Sequence, residues 1–223
     1  MRLLPLTCAA LLLIFGLLPA EASARPPLSL RLGYAAQIST DRAYDLVDDN
    51  DHLPLFRVGA GYRLPVPAGL LELEAGFLTG GSSASVYRQG TASLGLMGVE
   101  LGAAYRLPLG PHVEPYAQAF VGYDWLTLKL EPFRQRVGRT SATGLLGVTF
   151  LVPTRPRTPG SSAFFVDVGA GYGFRPDARF DALEAEPPNP PEGEDVSVPQ
   201  SSLRLGSLPL SGVVYRLQLG LRL

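Results

Sequence analysis

The residues with the types and spacing for chemistry are mostly charged, and they recur on alternate positions. Arg31, Arg57, Arg63, Arg106, Arg175, Arg216 and Arg222 share this placement with Glu72, Glu74, Glu100, Glu114, Asp124 and Asp167. A guanidinium is a rigid fork of donors that matches a carboxylate, so enclosed groups of this kind form ion-pair networks. The spacing predicts that Glu72, Glu74 and Glu100 pair with Arg57, Arg63 and Arg106 across strands. A second cluster is Asp41, Asp45, Asp48, Asp49 and Asp51. Carboxylates can hold Ca²⁺, but no glycine and bidentate Glu stand at EF-hand offsets, so a solvated acidic loop is expected. The two histidines are His52, beside Asp51 with Ser39 and Thr40 upstream, and His112 in a Pro/Gly-rich turn. No G-x-S-x-G elbow accompanies them. Gly59-x-Gly61 and Gly169-x-Gly171-x-Gly173 lie within strand patterns, and no helix follows to receive a phosphate. No enzyme, cofactor or metal site is therefore predicted.

The elements that must position these charges follow from period-two alternation. In 55–64, Phe56, Val58, Ala60, Tyr62 and Leu64 alternate with Leu55, Arg57, Gly59, Gly61 and Arg63. Segments 28–38, 164–175 and 210–223 alternate in the same way, and 70–79, 92–107, 113–128 and 141–152 complete a set of eight. Each is near or above the ~9–11 residues that a tilted strand needs to cross a bilayer. The connections 65–69, 108–112 and 153–161 are rich in Pro and Gly, whereas 39–54, 80–91, 129–140 and 176–209 are polar and mostly longer. Short turns at one end and long loops at the other are the pattern of an outer-membrane barrel, with both termini periplasmic. Loop 176–209, with its acidic residues and prolines, reads as a mobile external loop. Tyr62 and Tyr105, in the echoed segments 59–65 and 102–108, are expected in an inner aromatic girdle. Phe56, Phe77, Tyr123, Trp125, Tyr172 and Phe174 are expected in the outer one.

Residues 1–24 read as a secretory signal: Arg2, an apolar stretch from Leu11 to Leu18, and a small-x-small site at Ala22-Ser23-Ala24. The barrel domain is then 25–223. The sole cysteine, Cys8, lies inside that signal and away from the cleavage point, so neither disulfides nor lipidation is expected. A net charge of −1 without a basic tract gives no support for nucleic-acid binding. Lys129 is the only lysine among 19 basic residues.

Alternation alone does not say which face is inside. The face that carries the charges is also crowded with glycine, including Gly33, Gly59, Gly61, Gly76, Gly102, Gly122, Gly169, Gly171 and Gly220. Glycine weakens an exposed strand but suits a narrow lumen where small residues stand beside large ones. The whole segment 25–223 resembles the small outer-membrane barrels of the OmpA/OmpX type. Tyr215, Leu217, Leu219, Leu221 and Leu223 resemble the C-terminal assembly signal of that family, with Leu in the place of the usual final Phe. The resemblance implies the outer membrane of a Gram-negative-type bacterium, and contact with outer-membrane lipid and with the barrel-insertion machinery. The expected fold is all-β: an eight-stranded antiparallel up-and-down transmembrane β-barrel preceded by a cleaved signal peptide. Eight strands leave a lumen filled by side chains, so a structural or interaction role through acidic external loops is expected. A small-solute channel, a lipid-modifying enzyme and a soluble exported ligand-binding barrel are the alternatives.

Overall fold

The computed structural model describes residues 27–39, 51–67, 69–86, 90–130, 133–153, 162–180, 184–185 and 206–223. The expected signal segment and most of the acidic loops lie outside these residues. Eight long strands form the barrel: β1 (Leu28–Ile38), β2 (His52–Val66), β3 (Gly69–Val86), β4 (Gly90–Arg106), β5 (Val113–Leu130), β6 (Phe133–Pro153), β7 (Ala163–Phe174) and, last in the chain, β11 (Gly212–Arg222). Every neighbour is antiparallel, β1 pairs with β11, and the β5–β6 pairing closes the ring. Three short strands, β8 (Ala178–Phe180), β9 (Glu184–Ala185) and β10 (Gly206–Leu208), lie in the last connection.

The register fixes the shape. From Tyr34, the paired residues run through Phe56, Thr79 and Met97 to Trp125 of β5. In the other direction they run through Leu217, Val168 and Val148 to Pro115 of the same strand, ten residues away. A stagger of ten over eight strands corresponds to a tilt of about 40° and a bore that side chains can fill.

The sheet is longer than the alternation suggested. Segments 80–91 and 129–140, expected as loops, are mostly strand, and only 87–89 and 131–132 fall outside the described residues there. Part of 176–209, expected as a mobile loop, is also strand: β8 pairs with β10, and β9 with β6. The strands next to these ends carry an inward hydrophobic face, to which Leu130 and Val137 add. Leu78, Ala92, Leu94, Leu96, Leu126 and Leu128 point inward and pack against Ala178, Phe180, Leu208 and Leu210.

Polarity therefore inverts along the same strands. In β4, Met97, Val99 and Leu101 are exposed while Glu100 and Arg106 are buried. Before Met97 the order reverses: Leu94 and Leu96 are buried, and Thr91, Ser93 and Gly95 face outward. In β5, Asp124 is the last inward charge before Leu126 and Leu128, while Trp125 faces outward below Thr127 and Lys129. Below the inversion the outer surface is apolar, which only lipid or another apolar surface can cover without cost. Above it the outer surface is polar, as water requires. The inversion marks the outer edge of the membrane.

Candidate functional site: the charged lumen

The buried face of the membrane-spanning half gathers charges from seven strands into a central cluster and two flanking pairs. None of the thirteen charged residues named from the sequence is more than 6% exposed. At its centre, Glu74 of β3 contacts Arg31 of β1, Arg57 of β2 at 3.4 Å and Arg106 of β4 at 3.4 Å. It also accepts a hydrogen bond from Gln118 Nε2 at 2.6 Å. Glu72 is held by Arg31 at 2.6 Å, by Arg106 at 2.5 Å and by the Ser29 hydroxyl at 2.6 Å. Glu100 accepts from Arg57 Nε and lies 3.4 Å from Arg216. Asp167 stands 3.5 Å from Arg106 and 3.8 Å from Arg31, and it accepts the Thr149 hydroxyl. Four guanidiniums and four carboxylates thus form a neutral cluster. Two further pairs flank it: Arg175 with Asp124 at 2.8 Å on the extracellular side, and Arg222 with Glu114, doubly bonded, on the periplasmic side.

The pairing expected from sequence is partly redrawn. Glu100 does meet Arg57, but Glu72 and Glu74 meet Arg31 as well as Arg106. Arg63 is buried at the periplasmic end, where Glu72, Glu114, Arg106 and Arg222 all act on it electrostatically. The difference arises because tilt shears the strands, so that Arg31 of β1 reaches the level of Glu72 and Glu74 two strands away. Buried arginine costs several kcal/mol unless it is paired and its remaining donors are met.

Three aromatic rings complete the filling: Phe165, which the alternation of 164–175 puts on the charged face, and Phe120 and Tyr116, which the sequence reading did not assign to the lumen. Phe120 lies against the guanidinium carbons of Arg57 and Arg216 at 5.0 and 4.7 Å. Phe165 lies against Arg31 and Arg222 at 5.3 and 5.4 Å, and Tyr116 against Arg106 at 4.6 Å. Cation–π contacts of this kind are favourable when desolvated. Room for the rings comes from glycine on the neighbouring strand. Gly102 is the register partner of Phe120, Gly220 of Phe165, and Gly147 of Tyr116. A Cβ on Gly220 would overlap the Phe165 ring. Gly220→Val is therefore expected to destabilise the barrel by about 1–3 kcal/mol, read from its urea midpoint. Adding Phe165→Leu should recover part of the loss, and no recovery would mean that the ring is not the obstacle.

Above the charges the lumen is apolar, which the sequence reading did not foresee. Ala35, Leu53 and Leu55 join the cluster sealed by β8 and β10. Gln37 Nε2 donates to the Leu210 carbonyl, tying this plug to the wall. The missed signal was the reversed phase of 91–96 and 126–130. Arg139, also missed because it fell in an expected loop, is buried and donates to the Pro176 carbonyl at 2.8 Å.

Among the described residues no group of His, Cys, Asp and Glu is arranged to hold a metal ion. Of the acidic first-loop cluster, only Asp51 is described, with φ 57°. The Ser39 hydroxyl donates to the Pro209 carbonyl at 3.4 Å. His112, in the periplasmic turn, lies 3.2 Å from the Leu151 carbonyl. The girdle residues Phe56, Phe77, Tyr105, Tyr123, Tyr172 and Phe174 are all exposed on the outer surface. So are Tyr215, Leu217, Leu219 and Leu223 of the terminal strand, with Leu221 half-buried.

No curated protein matches the chain. Its fold is similar to that of Neisserial surface protein A, with a TM-score of 0.51 at 14% identity, covering 90% of this chain and 97% of that one. It is also similar to Ail, the attachment invasion locus protein of Yersinia pestis, at 13% identity over 88% of this chain and 97% of that one, with a TM-score of 0.44. The family model for the outer membrane protein beta-barrel domain matches residues 7–183. With a closed eight-stranded barrel, a charged lumen and an apolar outer surface, the chain belongs to the outer membrane protein beta-barrel domain family.

Proposed function

We propose that this outer-membrane barrel is a non-enzymatic structural or interaction protein that opens no diffusion pore and meets partners through its acidic external loops. One observation carries the reading: the neutral cluster of Arg31, Arg57, Arg106 and Arg216 with Glu72, Glu74, Glu100 and Asp167 lies across the bore, with an apolar plug above it. An ion entering would have to displace buried charge pairs and then cross an apolar layer. The Ser39 hydroxyl, upstream of His52, donates to the Pro209 carbonyl, which supports the non-enzymatic reading. The acidic composition of the first and last loops supports the interaction role.

Planar-bilayer recording tests the closed lumen. Wild-type protein is expected to insert without the stepwise conductance of a water-filled channel. Steady ohmic steps from the purified protein would set the reading aside in favour of a solute channel.

A further inference from the structure

The charges of the lumen do not balance at its extracellular end. Asp124 is the register partner of Arg139, and its Oδ2 accepts Arg175 Nε at 2.8 Å. Arg139 itself forms no ion pair among the described residues. Its Nη1 donates to the Pro176 carbonyl at 2.8 Å, while its Nε and Nη2 meet no acceptor there. Arg175 Nη1 and Asp124 Oδ1 are likewise without a hydrogen bond. All three side chains are buried, with Arg139 only 7% exposed. Arg175 is the charge that acts on Arg139 most strongly, ahead of Asp124 and of the exposed Asp177. Two guanidiniums thus face one buried carboxylate, which leaves one positive charge in excess at this level.

We propose that Arg139 and Arg175 hold a single halide-class anion, such as chloride, beneath the apolar plug. A buried guanidinium with unmet donors is costly, and an anion beside it offsets both the donors and the net charge. An excess of one charge calls for one monovalent ion. A phosphate-class dianion would overshoot that excess and crowd against Asp124. A spherical ion accepts donors from any direction, which suits guanidiniums arriving from β6 and from the end of β7. Small inward residues surround the charges, with Gly98 opposite Asp124 and Gly122 opposite Ser141. Ala178, Phe180, Leu208 and Leu210 close the layer above, and apolar surroundings strengthen the attraction between unlike charges. The ion neutralises the end of the lumen without opening a path through it. The inference is independent of what the acidic loops bind.

Bromide is the probe, because it substitutes for chloride and scatters X-rays anomalously. Crystals of the full-length barrel grown in bromide are expected to show an anomalous peak within hydrogen-bond reach of Arg139 Nε or Nη2. In solution, urea unfolding of the barrel in neutral detergent is followed across a bromide series. Ionic strength is held constant with gluconate, which is too large to enter. Each tenfold rise in bromide above its dissociation constant should raise the folded-to-unfolded ratio about tenfold, as one ion bound to the folded state alone requires. Arg139→Gln should abolish this dependence. Arg134→Gln, which removes an exposed arginine from the outer face of the same strand, should leave it intact. Density at this place without an anomalous signal, no bromide dependence in the wild type, or a dependence that survives Arg139→Gln overturns the proposal. The crystal and the wild-type titration decide even if a variant fails to fold.

Discussion

Glu74→Ala is expected to lower the stability of the barrel by about 3–5 kcal/mol, the cost of breaking a buried ion pair from one side. Glu74 serves Arg31, Arg57 and Arg106 and also accepts from Gln118. Its loss leaves the central cluster with one positive charge in excess, far from water. Glu74→Gln keeps the shape and some hydrogen bonds but not the charge, so it should fall nearly as far. The measurement is the urea midpoint of the folded, fast-migrating gel band in lipid vesicles. A midpoint for Glu74→Ala equal to wild type would show that the cluster adds nothing to stability, and the lumen would then have to be more hydrated than its burial indicates.

The second large effect lies on the other side of the wall. Val168 is midway along β7, exposed on the outer surface and the register partner of Leu217. Val168→Arg should destabilise the barrel in vesicles by about 2–4 kcal/mol, the cost of an arginine on the lipid face at the bilayer midplane. On a water-facing surface the same change would stay within about 0.5 kcal/mol. The two cases separate without ambiguity in one equilibrium titration. Val168 is preferable to Leu217 for this purpose because Leu217 belongs to the terminal segment expected to direct insertion.

These two substitutions probe opposite faces of one sheet, and their signs depend on which solvent each face meets. Arginine is favoured inside the barrel, where a carboxylate awaits it, and disfavoured outside, where hydrocarbon does. The reverse ordering would describe a soluble barrel that binds an apolar ligand. Above Met97 and Trp125 the same strands do obey that reverse ordering. Leu94, Leu96, Leu126 and Leu128 turn inward and close over the bore with β8 and β10. The bore is thus blocked twice, by paired charge and by an apolar plug.

Much of this was legible in the residues. Period two in 28–38, 55–64 and 164–175 gave the strands and their two faces, because successive side chains must point to opposite sides of a pleated sheet. The sorting of Arg57, Arg63, Glu72, Glu74 and Asp167 onto the glycine-bearing face was enough to place them together. The strand ends were not recovered. Segments 80–91 and 129–140 looked like loops because they are rich in Ser, Gly, Thr and Arg; of their described residues only Leu130 and Val137 pack against the apolar core, and strand pairing carries the rest.

What the sequence determined by itself was which residues share a face and that eight long strands make the barrel. Which arginine meets which carboxylate was decided by tertiary structure alone. A closed barrel adds a stagger of ten residues that no single strand encodes, and that stagger carries Arg31 to Glu72 and Glu74 and seats Phe165 against Gly220. The plug is likewise a tertiary outcome, since the three-residue strands β8 and β10 gain a hydrophobic surface to pack against only after the ring has closed.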